Sequence, residues 1–272
     1  MKARRRFAQH FLEAAWVEKL VAAIDLHSDD WVLEIGPGRG ALTRPLASRA
    51  ARLLGVEIDR DLATALDRER LPNVTVLTGD VLTIDLAAAI QNWLRDAAGS
   101  ASRVRVVGNL PYNVSSPILF RLLDLAPTIG FRDATLMLQK EVADRLVARV
   151  GTGEYGVLTI ITSLRADVTR VLSLPPGAFR PAPKVHSAVV RLAFRPTPLA
   201  VSDQALLVRM VRGVFTQRRK TLLNALTPFA DQRQVAAAEA LARAGVDGRR
   251  RPETLTLAEF AALGRAFETA GS

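Results

Sequence analysis

Asn109-Leu110-Pro111-Tyr112 brings together groups that could do chemistry on a planar ring. It follows an apolar run, Val104-Arg105-Val106-Val107-Gly108, that reads as a buried strand ending in a turn. An amide, a backbone carbonyl beside a proline, and an aromatic ring thus arrive together at a strand's C-terminal end. Such a set can stack on a planar base and accept hydrogen bonds from its exocyclic amine. A neutral amide cannot act as a general base, so it suits an amine nucleophile that needs positioning more than deprotonation. Pro111 has no N–H and a fixed φ, which helps fix the direction of the Leu110 carbonyl.

A second constellation lies upstream. Gly36-Pro37-Gly38-Arg39-Gly40 follows a short strand and precedes a helix, so its glycines allow a tight turn and close approach of a ligand. Glu57, 21 residues after Gly36, closes the next strand, where an acid accepts hydrogen bonds from ribose hydroxyls. Asp80 closes the third strand, in position to meet an adenine edge. A dinucleotide such as NAD is the competing ligand for a Gly-rich turn. The spacing here is G-x-G-x-G rather than G-x-G-x-x-G, and the proline removes a backbone amide from any pyrophosphate cradle. A ligand with ribose and adenine but no phosphates fits better, which points to S-adenosyl-L-methionine.

The elements that position these groups alternate. Strands are expected at 31–35, 53–58, 74–78, 104–108 and 134–139, with helices at about 12–26, 41–49, 61–70, 87–97, 116–125 and 142–150. This βαβ alternation predicts an α/β fold, a Rossmann-like, doubly wound and mostly parallel sheet. Two β-like runs, 157–165 and 186–194, follow without a clear crossover helix and are expected to form an antiparallel edge. A Pro-rich loop, 175–183, lies between them, and Pro196-Thr197-Pro198 reads as a linker. Beyond it the pattern is helical, at about 202–215, 218–226, 232–244 and 256–268, with Ser202 and Thr256 as N-caps. The expected domains are therefore 1–195, which carries both constellations, and 196–272, which is small and all-helical.

Composition narrows the partners. The 272 residues contain no cysteine, which excludes disulfides, thiolate nucleophiles and cysteine-ligated zinc, and fits a reducing cytoplasm. His10, His27 and His186 show no metal-ligand spacing, so no metal is expected. The net charge is +10. Residues 1–190 hold 24 Lys/Arg and 20 Asp/Glu, and residues 191–272 hold 13 and 7, so the tail is the more basic part and points to a polyanion. The basic start, Met1 to Phe7, lacks the apolar stretch of a signal peptide, and no run is long enough to span a membrane. A soluble, cytoplasmic monomer is expected.

With these residues in view, the chain resembles class I S-adenosylmethionine-dependent methyltransferases acting on adenine. More narrowly, it is similar to the KsgA-type ribosomal RNA adenine dimethyltransferases. The narrower resemblance rests on Gln9-His10-Phe11-Leu12, on Asn113-Val114-Ser115-Ser116-Pro117 continuing the Asn109–Tyr112 motif, and on two further segments. These are Leu138-Gln139-Lys140-Glu141-Val142 and Phe179-Arg180-Pro181-Ala182-Pro183-Lys184-Val185. One departure is visible, because His10 stands where the family usually has Asn.

The resemblance implies methylation of two adjacent adenines near the 3′ end of small-subunit ribosomal RNA, within an assembling subunit. It implies catalytic roles for Asn109, Leu110, Pro111, Tyr112 and Phe179, with Tyr112 and Phe179 on opposite faces of the base. It implies cofactor contacts from His10, Leu12, Gly36, Gly38, Glu57, Ile58, Asp80, Val81 and Asn109. RNA contacts are expected from Arg4, Arg5, Arg6, Lys184, Arg218, Arg219 and Lys220, although each basic cluster also reads as a solvated surface. Phe179 alone also reads as a core anchor for its loop. Three other functions compete: a resistance-type methyltransferase of large-subunit ribosomal RNA, an RNA-binding assembly factor that has lost activity, and a DNA adenine methyltransferase.

Overall fold

The computed structural model describes residues 11–95, 104–197, 199 and 203–268. In chain order its elements are Phe11–Leu12 (β1), Ala14–Ile24 (α1), Trp31–Ile35 (β2), Thr43–Ala47 (α2), Arg52–Glu57 (β3), Arg60–Asp67 (α3) and Val74–Thr78 (β4). Leu86–Leu94 (α4), Arg105–Asn109 (β5), Ser115–Ile129 (α5), Asp133–Gln139 (β6), Lys140–Leu146 (α6), Val157–Ser163 (α7) and Ala166–Leu174 (β7) follow. Then come Phe179–Arg180 (β8), Ser187–Phe194 (β9), Gln204–Thr216 (α8), Leu222–Asp231 (α9), Ala237–Ala244 (α10) and Leu257–Glu268 (α11).

The chain forms two compact units. The first comprises the residues up to Ala143 together with Asp167–Phe194; the second comprises Asp144–Ala166 and the residues from Arg195 onward. The first unit is built on a seven-stranded sheet of order β4-β3-β2-β5-β6-β9-β7. The pairs from β4 to β6 are parallel, and β9 runs antiparallel to β6. Strand order reverses between β2 and β5, which opens a crevice at the carboxyl ends of these strands. The register Ile35↔Gly108 aligns the ends of β2 and β5, so Gly36 and Asn109 leave the sheet side by side. The central strands are buried on both faces, as expected of a parallel sheet between helices: every residue of β2 is buried.

At the opposite end of β5, Arg105 is buried and fully engaged. Its guanidinium donates to Asp133 at 2.9 and 2.8 Å, to Asp30 at 2.9 Å, and to the carbonyls of Ile24 and Asp25 at 2.7 Å each. It thereby ties the end of α1 to the start of β5 and β6. A planar five-donor group is the side chain able to satisfy so many acceptors at one point.

The second unit corrects two expectations. The run 157–165 forms α7, Val157–Ser163, and the turn that follows it rather than an edge strand, and the edge of the sheet is β7 instead. Ile160 and Leu164 lie one helical turn apart and bury in a core with Tyr155, Leu207, Met210 and Phe260. The helical unit is thus larger than 196–272, because it also takes in Asp144–Ala166. Residues 218–220 lie in the turn before α9 rather than in a helix. Ser202 lies outside the described residues, and Asp203 caps α8 by accepting from the Leu206 N–H at 2.7 Å. Thr256 caps α11 as expected: its hydroxyl accepts from the Glu259 N–H at 3.2 Å while Glu259 accepts from the Thr256 N–H at 2.7 Å. No helix among the described residues is long and apolar enough to cross a membrane.

Candidate active site

An open cleft lies at the carboxyl ends of β2, β3 and β5. It is lined by Gly36, Pro37 and Gly38 after β2, by Glu57 and Ile58 at β3, and by Asn109, Leu110, Pro111 and Tyr112 after β5. The two constellations found in the sequence therefore share one cavity.

The Gly-rich turn is held from inside. Gly36 and Gly38 have φ of 70° and 60°, a region that L side chains rarely adopt. The Gly36 N–H donates to the Val56 carbonyl at 2.9 Å, the Gly38 N–H to Glu57 Oε2 at 2.8 Å, and the Gly40 N–H to the Pro37 carbonyl at 2.9 Å. All three amides are spent within the protein, so a pyrophosphate would find none of them. Glu57 is 3% exposed, and its other oxygen accepts from the Asp59 N–H at 2.9 Å. Burial raises its carboxyl above the usual carboxylate value, while the amides of Asp59 and Gly38 pull the other way. Backbone amides orient both oxygens, and a carboxylate with about four acceptor positions keeps capacity toward the cleft, which suits a diol.

The turn after β5 is equally constrained. A Cβ on Gly108 would lie 2.8 Å from Leu110 Cδ2 and 3.2 Å from the Ile35 carbonyl oxygen. Only glycine lets the Leu110 side chain fold back under the strand, where it is 1% exposed. The Leu110 N–H donates to the Met137 carbonyl at 3.2 Å. With side chain and N–H both committed inward, Leu110 presents its backbone to the cleft. The Tyr112 hydroxyl and Ser187 Oγ lie 2.6 Å apart, which anchors the ring to the start of β9. Burial raises the Tyr112 phenol above its usual value, and the bond to Ser187 opposes the rise.

Not every expected residue reaches the cleft. Leu12 and Ile58 line it, whereas Asp80 and Val81 do not. Val81 is buried, and half-buried Asp80 accepts from the Leu82 N–H through one oxygen, Oδ1, at 2.9 Å. Phe179 is a core residue, 0% exposed among Leu20, Met137 and Val189, and does not line the cleft. Its strand pairs with β1 in the register Leu12↔Phe179 and Phe11↔Arg180, and its ring is enclosed by core side chains of the sheet and α1. The aromatic ring this pair delivers to the cleft is Phe11, with the Arg39 guanidinium 4.3 Å from its centre. Lys184, Arg219 and Lys220 are exposed. Arg218 is engaged within its own unit, donating to the Thr152 carbonyl at 3.1 Å and lying 4.0 Å from Glu253. Arg4, Arg5, Arg6 and His10 lie outside the described residues.

Glu34 was missed, although an acid inside the apolar run Val32-Leu33-Glu34-Ile35 was a visible signal. It lines the cleft, is 1% exposed, and its Oε2 makes no hydrogen bond. Burial pushes its carboxyl up to about 7; the neighbouring Thr43 hydroxyl opposes this and the charge of Glu57 adds to it. The folded protein therefore keeps a proton that the unfolded chain has lost, and stability falls as pH rises from 4.5 to about 7. The span corresponds to about 3 kcal/mol. Glu34→Gln removes this slope. Denaturant unfolding at about pH 5 and about pH 8 should show the variant gaining about 3 kcal/mol on the parent between the two. A constant difference would assign the effect to another group.

The chain matches the family model described as Ribosomal RNA adenine dimethylase over residues 1–263. The Ribosomal RNA small subunit methyltransferase A of Acinetobacter baylyi is 43% identical over 267 residues, covering 96% of this chain and 91% of that protein. The protein of the same name from Geobacter metallireducens is 43% identical over 278 residues, covering 100% and 98%. Among solved structures, a dimethyladenosine transferase from Plasmodium falciparum matches with a TM-score of 0.76 at 26% identity, covering 96% of this chain and 98% of that one. The 23S rRNA methyltransferase ErmE matches with a TM-score of 0.64 at 30% identity, covering 95% and 99%. In sequence over nearly its whole length, and in fold, the chain belongs to the ribosomal RNA adenine dimethylase family.

Proposed function

We propose that this protein dimethylates the exocyclic amines of two adjacent adenines near the 3′ end of small-subunit ribosomal RNA, using S-adenosylmethionine. The observation that carries this reading is the shared cleft: a diol-binding acid, Glu57, faces the same cavity as the Asn109–Tyr112 turn. The commitment of all three glycine amides inside the protein supports a nucleoside cofactor without phosphates. The small-subunit target is supported by relatives of that name at 43% identity, against 30% for the large-subunit enzyme.

When bound, the cofactor supplies an electrophilic methyl group on a sulfonium. Glu57 would hold its ribose, and the backbone of Gly36–Gly38 and the apolar surface of Ile58 would flank it. The adenine amine is a weak nucleophile because its lone pair is delocalised into the ring. The Asn109 side-chain carbonyl and the Leu110 backbone carbonyl accept its two hydrogens, which favours a pyramidal nitrogen with its lone pair directed outward. Tyr112, anchored through Ser187, stacks on the base and offsets part of the cost of unstacking it, a few kcal/mol. The rate gain comes from positioning and from carbonyl dipoles facing the charge that develops on nitrogen. In each transfer the methyl–sulfur bond would break as the methyl–nitrogen bond forms, and one amine proton would leave to solvent, so the second transfer starts with a single hydrogen for the two carbonyl acceptors.

The test is methyl transfer to unmodified small subunits, followed by mass mapping of the modified nucleotides. The expected product is a pair of adjacent dimethyladenosines. Product found only on protein-free large-subunit RNA would replace this reading with the resistance-type one.

A further inference from the structure

The mechanism above uses nothing from the helical unit, yet that unit contains a built groove. It lies between α8 and α9, has a volume of ≈ 540 Å³, and is lined by Arg209, Gly213 and Thr216 on one side and Phe229, Gln232 and Arg233 on the other. Phe229 packs in a T-shaped pair on Phe267, with ring centres 5.3 Å apart, and lends its remaining surface to the groove. The Arg233 guanidinium lies 5.7 Å from the Phe229 ring centre.

Two arginines flank this ring. Arg218, Arg243, Arg249 and Arg250 are each paired with an acid. Arg209 and Arg233 are exposed, and neither has an acidic partner among the described residues. Gly213 adds an independent observation. It sits inside α8, where glycine is destabilising relative to alanine. Its φ is not positive, and a Cβ there would meet only Phe229 Cβ and Cδ2, each at 3.9 Å, which is ordinary contact. Neither backbone conformation nor packing demands glycine. What its missing side chain does is leave the groove open beside the Phe229 ring.

We propose that this groove captures one unpaired nucleotide of the RNA substrate, distinct from the adenines that are methylated. This rests on the reading that the substrate is ribosomal RNA. The base stacks against Phe229, as bases do on exposed aromatic rings. Arg209 and Arg233 take the flanking phosphates, for which planar guanidinium forks are suited. Thr216 Oγ1 spends its proton on the Gly213 carbonyl at 2.6 Å, so it offers an acceptor to a base amine or a 2′-hydroxyl. Gln232 adds both donor and acceptor.

Three variants of the full chain test this: Gly213→Leu, which fills the groove without changing charge, Gly213→Ala as a fold control, and the double variant Arg209→Ala/Arg233→Ala. Small subunits and protein-free large-subunit RNA are each used as binding partners, so the outcome does not depend on which RNA is methylated. Gly213→Leu and the arginine double variant should each weaken RNA binding about tenfold. The KM for RNA should rise similarly, with kcat within about twofold and cofactor affinity unchanged, because these residues lie outside the cleft. Gly213→Ala should unfold at the parent's temperature or above it. Parental affinity in Gly213→Leu would overturn the proposal, even if the arginine variant binds weakly, since diffuse phosphate contact would then account for the arginines. Failure of the parent to methylate small subunits would count against the functional reading and leave these binding results standing.

Discussion

Replacing Asn109 with alanine lowers the single-turnover rate of methyl transfer by about 10²–10³-fold, the range found when one preorganised hydrogen-bonding group is removed from a transition state. Cofactor affinity should stay within about threefold if, as proposed, Glu57 holds the ribose on the other side of the cleft. The expectation follows from the geometry of the turn. Gly108 and Leu110 are locked by packing, so no neighbouring acceptor can move in to replace the lost amide. Asn109→Asp keeps an acceptor at the same place and should retain more activity than Asn109→Ala. Full transfer by the alanine variant would remove Asn109 from the mechanism. Unchanged ribosome assembly in cells that carry the inactive variant would instead favour a scaffolding role.

The largest expected effect on stability lies at the other end of the same strand. Arg105→Met strands Asp133 in the interior, leaves Asp30 with only the His27 amide and the half-exposed Arg132, and takes the donor from the carbonyls of Ile24 and Asp25. Removing one partner of a buried ion pair costs about 3–5 kcal/mol. For a chain of this size that lowers Tm by roughly 10 °C. The pH dependence can be assigned a sign. Burial alone would raise the Asp30 carboxyl, but the His27 amide and the Arg105 guanidinium outweigh it and hold it below its usual value of 3.8. Its contribution is therefore present above 3.8 and is lost as pH falls through the lower folded value. The deficit of Arg105→Met should be greatest at neutral pH and should shrink in acid, where the stranded carboxylates can take up protons. Thermal unfolding across this range checks both points, and a Tm within about 2 °C of the parent would show the cluster to be dispensable.

The sheet was legible because its strands are short apolar runs separated by turn residues, and each βα unit is local in sequence. The site was legible for the same reason. Asn109–Tyr112 and Gly36–Gly40 each follow a strand directly, so the rule that ligands bind at strand carboxyl ends places both without tertiary information. The misreadings share a different cause. Val157-Leu158-Thr159-Ile160-Ile161-Thr162 is rich in β-branched residues, and its helical spacing is decided by a core most of whose members lie beyond residue 200. Phe179 has the right residue type and neighbourhood for a base-stacking wall. Its ring is instead enclosed by core residues such as Leu20, Met137 and Val189, of which Leu20 and Met137 lie far away in sequence. Asp80 lies two residues beyond β4, and one of its carboxylate oxygens caps a local turn at Leu82.

The placement of α7 has a consequence in time as well as in space. Its apolar face is buried by helices that end at Glu268, about a hundred residues after Leu164. At roughly 5–20 residues per second, the ribosome needs about 5–20 s to deliver them. During that interval the β7–β9 segment is synthesised and can complete the sheet, while Ile160 and Leu164 still await most of their partners. The order of synthesis thus makes the catalytic sheet the first part of the molecule able to finish, and the helical unit the last.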